Sequence, residues 1–425
     1  MKTFKLSIAC ILAVVSLSTS AQVILDGEFR PRMIIDGGYK TIKLESDPVF
    51  VYISQRSRVN LSYKKNKLET YFSIQDVHVW GDDDMYSSSG VSGNSKGINL
   101  YQAWFTLKPS SHISIKTGRQ QFNYDDQRLL ASRNWNEYQV TYDAILLNWS
   151  KENNKLDLAT SWNSSGSSSP LYPKGKIKTM SFARYEKTSG PFNLSGIALF
   201  TGYTKADTLT DIAFTGTYGI NLLFQKNDIN ARITGYYQHN INELNGKISA
   251  YCLSLLAQKS FLEKKASLAL AADFVSGNDG TNTANEYLKV QHRFSQFYGN
   301  RHGLLGYMDY FTSVPNQGLQ DYMLKAEYKF SKSTLFQADY HYFRLNNNGY
   351  DPVNPSIEIN KELGSELDLT LQWKIMSEVS LQAGYSMFVA TETLEKLKNV
   401  YNKETKFPQF AYIMISVKPT FFKAE

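Results

Sequence analysis

Apolar and polar residues alternate one by one over long stretches of the chain. From Leu363 to Ile375, residues Leu363, Ser365, Leu367, Leu369, Leu371, Trp373 and Ile375 fall on one face, and Gly364, Glu366, Asp368, Thr370, Gln372 and Lys374 on the other. Val379, Leu381, Ala383, Tyr385, Met387 and Val389 alternate with Ser380, Gln382, Gly384 and Ser386. Tyr322, Leu324, Ala326, Tyr328 and Phe330 alternate with Asp321, Lys325, Glu327 and Lys329. Successive side chains of a strand point to opposite faces, so period two predicts strands with one apolar face. A strand of a globular protein averages ~5–6 residues, whereas a strand that crosses a bilayer needs ~9–11. These runs are of the longer kind.

The connections between them alternate in length. Short polar turns are predicted at Lys64-Lys65-Asn66, Lys108-Pro109-Ser110, Lys151 to Asn154, Thr188-Ser189-Gly190, Asn227-Asp228, Glu263-Lys264, Ser331-Lys332-Ser333 and Ser377-Glu378. Long segments rich in Gly, Ser, Asn and Asp lie between, as in Gly81 to Gly97, Asn163 to Lys176, Gly277 to Asn285, Leu345 to Ile357 and Thr393 to Lys406. Short turns at one end and long loops at the other are the pattern of an outer-membrane barrel. With the short turns on the periplasmic side, eight turns mark sixteen strands. One more at each end, near residues 23–35 and 407–421, brings the antiparallel, all-β transmembrane barrel to about eighteen. Gly303 to Thr312 alternates too, but as a strand it would put a short turn on the wrong side, so it is assigned to a long outer loop over roughly 277–319. The soluble alternative, a β-sandwich or solenoid, would need shorter strands or a fixed repeat.

The N-terminus fits an exported protein. Lys2 and Lys5 precede an apolar run from Leu6 to Leu17, and Ser18-Thr19-Ser20-Ala21-Gln22 follows. That is a signal peptide over 1–21, cleaved after Ala21, ahead of one barrel domain over 22–425. The run is too short for the ~20 residues of a spanning helix. Removal of the signal takes Cys10 with it and leaves Cys252 alone, so no internal disulfide is expected. The net charge of +7 includes Lys2 and Lys5, and no basic tail or cluster points to nucleic acid. The informative excess is aromatic, with 28 Tyr and 24 Phe among 425 residues, while mean hydropathy is −0.36.

Candidate chemistry is sparse. The six histidines, His78, His112, His239, His292, His302 and His341, form no helical zinc-ligand pair. His341 and Asp339 share a polar strand face and could orient a base, but no Gly-x-Ser-x-Gly elbow supplies a nucleophile. Asp82-Asp83-Asp84 is a candidate calcium cluster or a solvated loop tip. Asp125-Asp126 could act as an acid–base pair only within a turn, because adjacent strand residues face apart. No catalysis, metal or cofactor is expected.

One stretch is more specific. It reads Gly118-Arg119-Gln120, then Tyr124-Asp125-Asp126-Gln127-Arg128-Leu129-Leu130, then Trp135, then Asp143-Ala144. A second reads Phe297-Tyr298-Gly299, Arg301-His302-Gly303, Gly306-Tyr307-Met308-Asp309-Tyr310-Phe311 and Gly318-Leu319-Gln320-Asp321. The first resembles the alginate-export family of outer-membrane porins, and the second is similar to Bacteroidetes relatives of that family. The resemblance implies a monomeric eighteen-stranded barrel in outer-membrane lipid, with an arginine-lined lumen passing an anionic saccharide. It implies that Arg119, Tyr124, Arg128 and Arg133 border the pathway and that Asp125, Asp126 and Asp143 pair with arginines there, or that these groups pin an inward loop to the wall. Where the family pattern has an arginine after the Trp, this chain has Val140.

The strand faces add a separate expectation. Arg56, Arg58, Arg232, Lys325, Lys329 and Lys374 read as inward, together with Asp273, Glu327, Asp339, Glu366 and Asp368. The lumen is therefore mixed in sign, with a local basic ladder at Arg56 and Arg58. The expected function is a passive channel for hydrophilic anionic saccharides or small anions. The alternatives are a general diffusion porin, and an outer-membrane enzyme or plugged structural barrel.

Overall fold

A computed structural model describes residues 21–80, 97–164, 176–204, 211–241, 246–296 and 298–424. Residues 1–20 of the expected signal peptide, Asp82-Asp83-Asp84 and Phe297 lie outside the described residues. Among the described residues, eighteen antiparallel strands close into one barrel. They are β1 (Gln22–Gly37), β2 (Phe50–Lys65), β3 (Leu68–Val79), β4 (Asn99–Leu107), β5 (Ile113–Gln120), β6 (Tyr142–Lys151), β7 (Asn154–Trp162), β8 (Ile177–Ser189) and β9 (Phe192–Thr204). Then follow β10 (Ile212–Lys226), β11 (Ile229–Ile241), β12 (Lys247–Phe261), β13 (Ala266–Val275), β14 (Leu319–Lys329), β15 (Thr334–Arg344), β16 (Glu362–Lys374), β17 (Val379–Ala390) and β18 (Gln409–Val417, continued by Thr420–Ala424). Closure is between β1 and β18, with Asp36 opposite Phe410 and Leu25 opposite Phe422. A closed barrel pairs every backbone group within the sheet, which lipid requires.

Each of the eight short turns expected from the sequence joins a pair of strands, and Gly303 to Thr312 lies in the long connection between β13 and β14. The hairpin ends carry left-handed residues, Asn66 (φ 51°) and Asn227 (φ 53°), which suits the tight turns that match strand twist. The outward parity is apolar and exposed, as in Phe29, Met33 and Ile35 of β1 or Leu268 and Leu270 of β13. Large aromatics sit exposed near strand ends, among them Trp80 and Trp162 at the long-loop end and Phe330, Trp373 and Phe421 at the short-turn end, the placement of interfacial girdles. No described helix is long and apolar enough to cross a membrane.

The inside is not an open pipe. The connection between β5 and β6 (121–141) and that between β13 and β14 (276–318) fold into the lumen. Phe122, Leu130, Tyr298, Met308 and Phe311 are buried there against wall residues such as Phe343 and Phe388. Phe311 packs on Phe343 with ring centroids 4.5 Å apart. Each such ring withdrawn from water contributes roughly 1.5–3 kcal/mol, so the loops are held as part of the core.

Candidate functional site

The two inward loops meet at the residues of both sequence blocks. Leu130 bridges to Tyr298, the Asn300 amide donates to the Gln127 carbonyl (2.7 Å), and Arg133 Nε donates to the Gly299 carbonyl (2.8 Å). Trp135 stacks on His302 at 3.8 Å. Gly299 permits this approach, since a Cβ there would lie 1.9 Å from the Arg128 carbonyl oxygen. Gly118 does similar work in the wall. It has φ +122°, and a Cβ would meet the Ala103 carbonyl oxygen at 2.2 Å.

One wall is basic. Arg30 and Arg32 of β1 and Arg56 and Arg58 of β2 all point inward and are buried, with Arg30 opposite Arg56. They hold the tip of the 121–141 loop. Arg30 Nη2 reaches Glu137 Oε2 at 2.5 Å, Arg32 Nη2 reaches Oε1 at 2.7 Å, and Ser54 Oγ donates to Oε1 at 3.1 Å. Arg30 Nη1 and Arg32 Nη1 donate to the carbonyls of Asn134 and Trp135, both at 2.9 Å. Arg56 grips Glu28 through Nε (3.1 Å) and Nη2 (2.8 Å), and its Nη1 reaches the Glu137 carbonyl at 3.3 Å. Arg58 donates to Gln75 and Gln139 and lies 3.6 Å from the Tyr101 ring centre. Burial alone would raise the Glu137 carboxyl; the charges of Arg32, Arg30 and Arg56 outweigh it and hold the group at about 2.

A second stretch of wall, a few strands away across the β1–β18 closure, is acidic. Glu366 Oε1 accepts from the Met308 amide (2.7 Å) and Asp368 Oδ2 from the Tyr307 amide (3.3 Å), which straps the 276–318 loop to β16. His341 Nδ1 lies 2.8 Å from Asp321 Oδ2. His341 Nε2 also lies 3.7 Å from Asp368 Oδ2, so its partners are Asp321 and Asp368 and not Asp339, whose carboxylate takes Lys325 (2.8 Å) one rung nearer the short-turn end.

Between the loops and the β1–β4 wall a cavity of about 400 Å³ remains, lined by Glu28, Arg56, Arg58, Tyr101, Asn134, Gln139 and Lys418 among others. Around it Arg30, Arg32, Arg56, Arg58 and Lys418 face Asp26, Glu28 and Glu137, so cations outnumber carboxylates by two.

The residues of the Tyr124 to Arg133 segment mostly pin the loop. Arg128 is buried between Asp126 (2.9 Å) and Asp273 (2.7 Å), which hold its guanidinium above its ordinary range despite burial. Asp125 takes Arg184 of β8 (2.6 Å) and the Ser195 hydroxyl (2.7 Å), and Arg184 also lies 4.8 Å from the Tyr124 ring centre. Burial, and next the nearby Asp157, raise the Tyr124 phenol. Arg119 departs from the expectation that it borders the pathway. It pairs with Asp143 (2.9 Å) on the outward parity that it shares with Ile113, Ile115 and Ile145, so its charge lies on the outer side of the wall. Val140, at the position of the missing arginine, is buried in the apolar core. Arg30, Arg32 and Glu137 were not anticipated. The two arginines carried a signal, a period-two alternation with Phe29, Pro31 and Met33; Glu137 carried none.

Residues 55–163 match the Alginate export family, a stretch that contains the whole first sequence block. No curated protein matches the chain. The fold is similar to solved outer-membrane proteins at low sequence identity. Pseudomonas aeruginosa OpdK is 11% identical with TM-score 0.62, covering 95% of this chain and 99% of its own. The same protein solved with vanillate gives 11% and 0.61 at the same coverage. Acinetobacter baumannii OccAB1 gives 10% and 0.62, covering 95% of this chain and 97% of its own.

Proposed function

We propose that the chain is an outer-membrane porin of the alginate-export type, a channel for small solutes and not an enzyme, and that it passes hydrophilic anionic solutes, carboxylated saccharides among them, by passive diffusion along the β1–β2 arginines. One observation carries this reading. The arginine wall already holds a carboxylate, that of Glu137, between Arg30 and Arg32, and a second, Glu28, in the fork of Arg56. The planar guanidinium binds carboxylates in this two-point manner, and an excess of fixed positive charge beside a narrow aqueous space favours anions. OpdK was solved with vanillate, a carboxylate, on the same fold. We further read the chain as a monomer, cleaved after Ala21.

The second reading, a general porin of mixed selectivity, is favoured by the acidic wall at Asp321, Glu366 and Asp368 and by Val140 in place of a basic rung. Liposome swelling separates the two. Faster swelling in glucuronate than in glucose, slowed by R56A/R58A, supports anion passage. Equal rates for both sugars, unchanged in the variant, make it a general porin.

A further inference from the structure

A separate cavity of about 130 Å³ lies within the 276–318 loop, against Ile248 at the long-loop end of β12. Arg293, Arg301 and Gln296 line it with the hydroxyl-bearing Ser295, Thr312 and Ser313. None of the described residues lining it is acidic, and neither arginine forms an ion pair among the described residues. Burial holds the Arg301 guanidinium below its ordinary value. Arg133, behind it, is pushed down to about 10, by burial first and then by the charge of Arg301. Arg293 and Arg301 thus differ from the ladder, where every arginine but Arg58 has a carboxylate within 3 Å.

Gln296 makes the cavity a built site. The residue is 7% exposed, and both Nε2 and Oε1 are buried without a hydrogen-bond partner. Buried amide groups normally find partners, and leaving one unmade is costly. The backbone just before Gln296 is held in place. Gln238 of β11 clamps Ser295 at both its carbonyl (2.9 Å) and its amide (2.9 Å), and the Phe294 amide donates to Ser276.

We propose that this cavity binds the hydroxylated carboxylate end of an incoming solute, as a capture site at the outer mouth distinct from the arginine ladder. The two guanidiniums take the carboxylate. Gln296 Nε2 donates to the same oxyanion. Gln296 Oε1 can only accept, which an oxyanion does not satisfy; a neighbouring hydroxyl of the solute does. The ligand is therefore a hydroxy acid in preference to a simple carboxylate or a neutral sugar.

The test is calorimetric titration of the refolded barrel with sodium gluconate, with acetate and glucose as controls and heat-modifiable gel mobility as the check of folding. Saturable gluconate binding is expected, at least tenfold weaker for acetate and absent for glucose. It falls at least tenfold in R293A/R301A and in Gln296→Glu, which keeps the side-chain shape, and persists in R56A/R58A. If the double arginine variant fails to fold, Gln296→Glu decides alone. Absence of saturable binding in the wild type, binding unchanged by the loop variants, or loss only in R56A/R58A would overturn the proposal.

Discussion

Replacing Glu137 with Gln keeps the size of the side chain and removes the charge that ties the 121–141 loop to the wall. In the native protein that carboxylate accepts from Arg30, Arg32 and Ser54 at 2.5–3.1 Å, all of them buried. Removing one member of a buried ion pair typically costs about 3–5 kcal/mol, because the partner charges stay buried and unpaired. The depressed pKa of Glu137 points to the same scale. A carboxyl held at about 2 against an ordinary ~4.3 corresponds to about 3 kcal/mol of preference for the charged form in place. A change of that size raises the ratio of released to strapped loop about a hundredfold. Two consequences follow at the cavity. The loop tip moves off the wall more often, and the local excess of cations rises from two to three. Single-channel recordings of E137Q are expected to show added high-conductance events, and the reversal potential in a salt gradient to shift toward the anion value. The wild type should approach the same behaviour in acid. Its pKa is depressed in the folded state, so the stabilisation is fully present above about pH 4.3 and is lost as pH falls toward about 2. Conductance histograms and reversal potentials of E137Q that match wild type would refute the strap.

Other perturbations follow from the same geometry. R119A should leave ion selectivity unchanged, since its guanidinium pairs with Asp143 on the outer side of the wall; a shift in reversal potential equal to that of R56A would place it in the pathway after all. G299A inserts a Cβ 1.9 Å from the Arg128 carbonyl oxygen, so the two loops should part, seen as new protease cleavage within 121–141 or 276–318 while the barrel keeps its gel mobility. G118A adds a clash at 2.2 Å and a left-handed strain of about 1–3 kcal/mol, and refolding yield should fall with no change in the selectivity of the molecules that do fold. Mass spectrometry of protein purified from outer membranes should give a chain beginning at Gln22.

The barrel was legible because two independent signals agreed. Period-two alternation located strands such as Glu362–Lys374, and the contrast between two-residue turns such as Asn227-Asp228 and long polar loops set their direction and number. Inward parity was readable for the same reason, and Arg56, Arg58, Asp273 and Glu366 lie where alternation puts them. Arg119 shows what happens when parity is set aside. Ile113 and Ile115 mark the lipid face of β5, and Arg119 shares it; the pathway role came from the family pattern and not from the strand. Arg30 and Arg32 alternate as plainly as Arg56 and Arg58 do. Glu137 was not readable at all, because a loop has no period and its contacts with β1 lie more than 100 residues away in sequence. The apolar filling of the lumen was hidden likewise, since Met308 and Phe311 look like any loop hydrophobics until Phe343 and Phe388 are brought beside them.

Under the proposed function, solutes run along the arginines of β1 and β2. Its most direct test is the reversal potential of single channels in a KCl gradient, wild type beside a variant with Arg30, Arg32, Arg56 and Arg58 all changed to Gln. Anion preference is expected in the wild type, and its loss or inversion in the variant, where Glu28 and Glu137 are left without their arginine partners. The same selectivity in both proteins, or cation preference in the wild type, would contradict it.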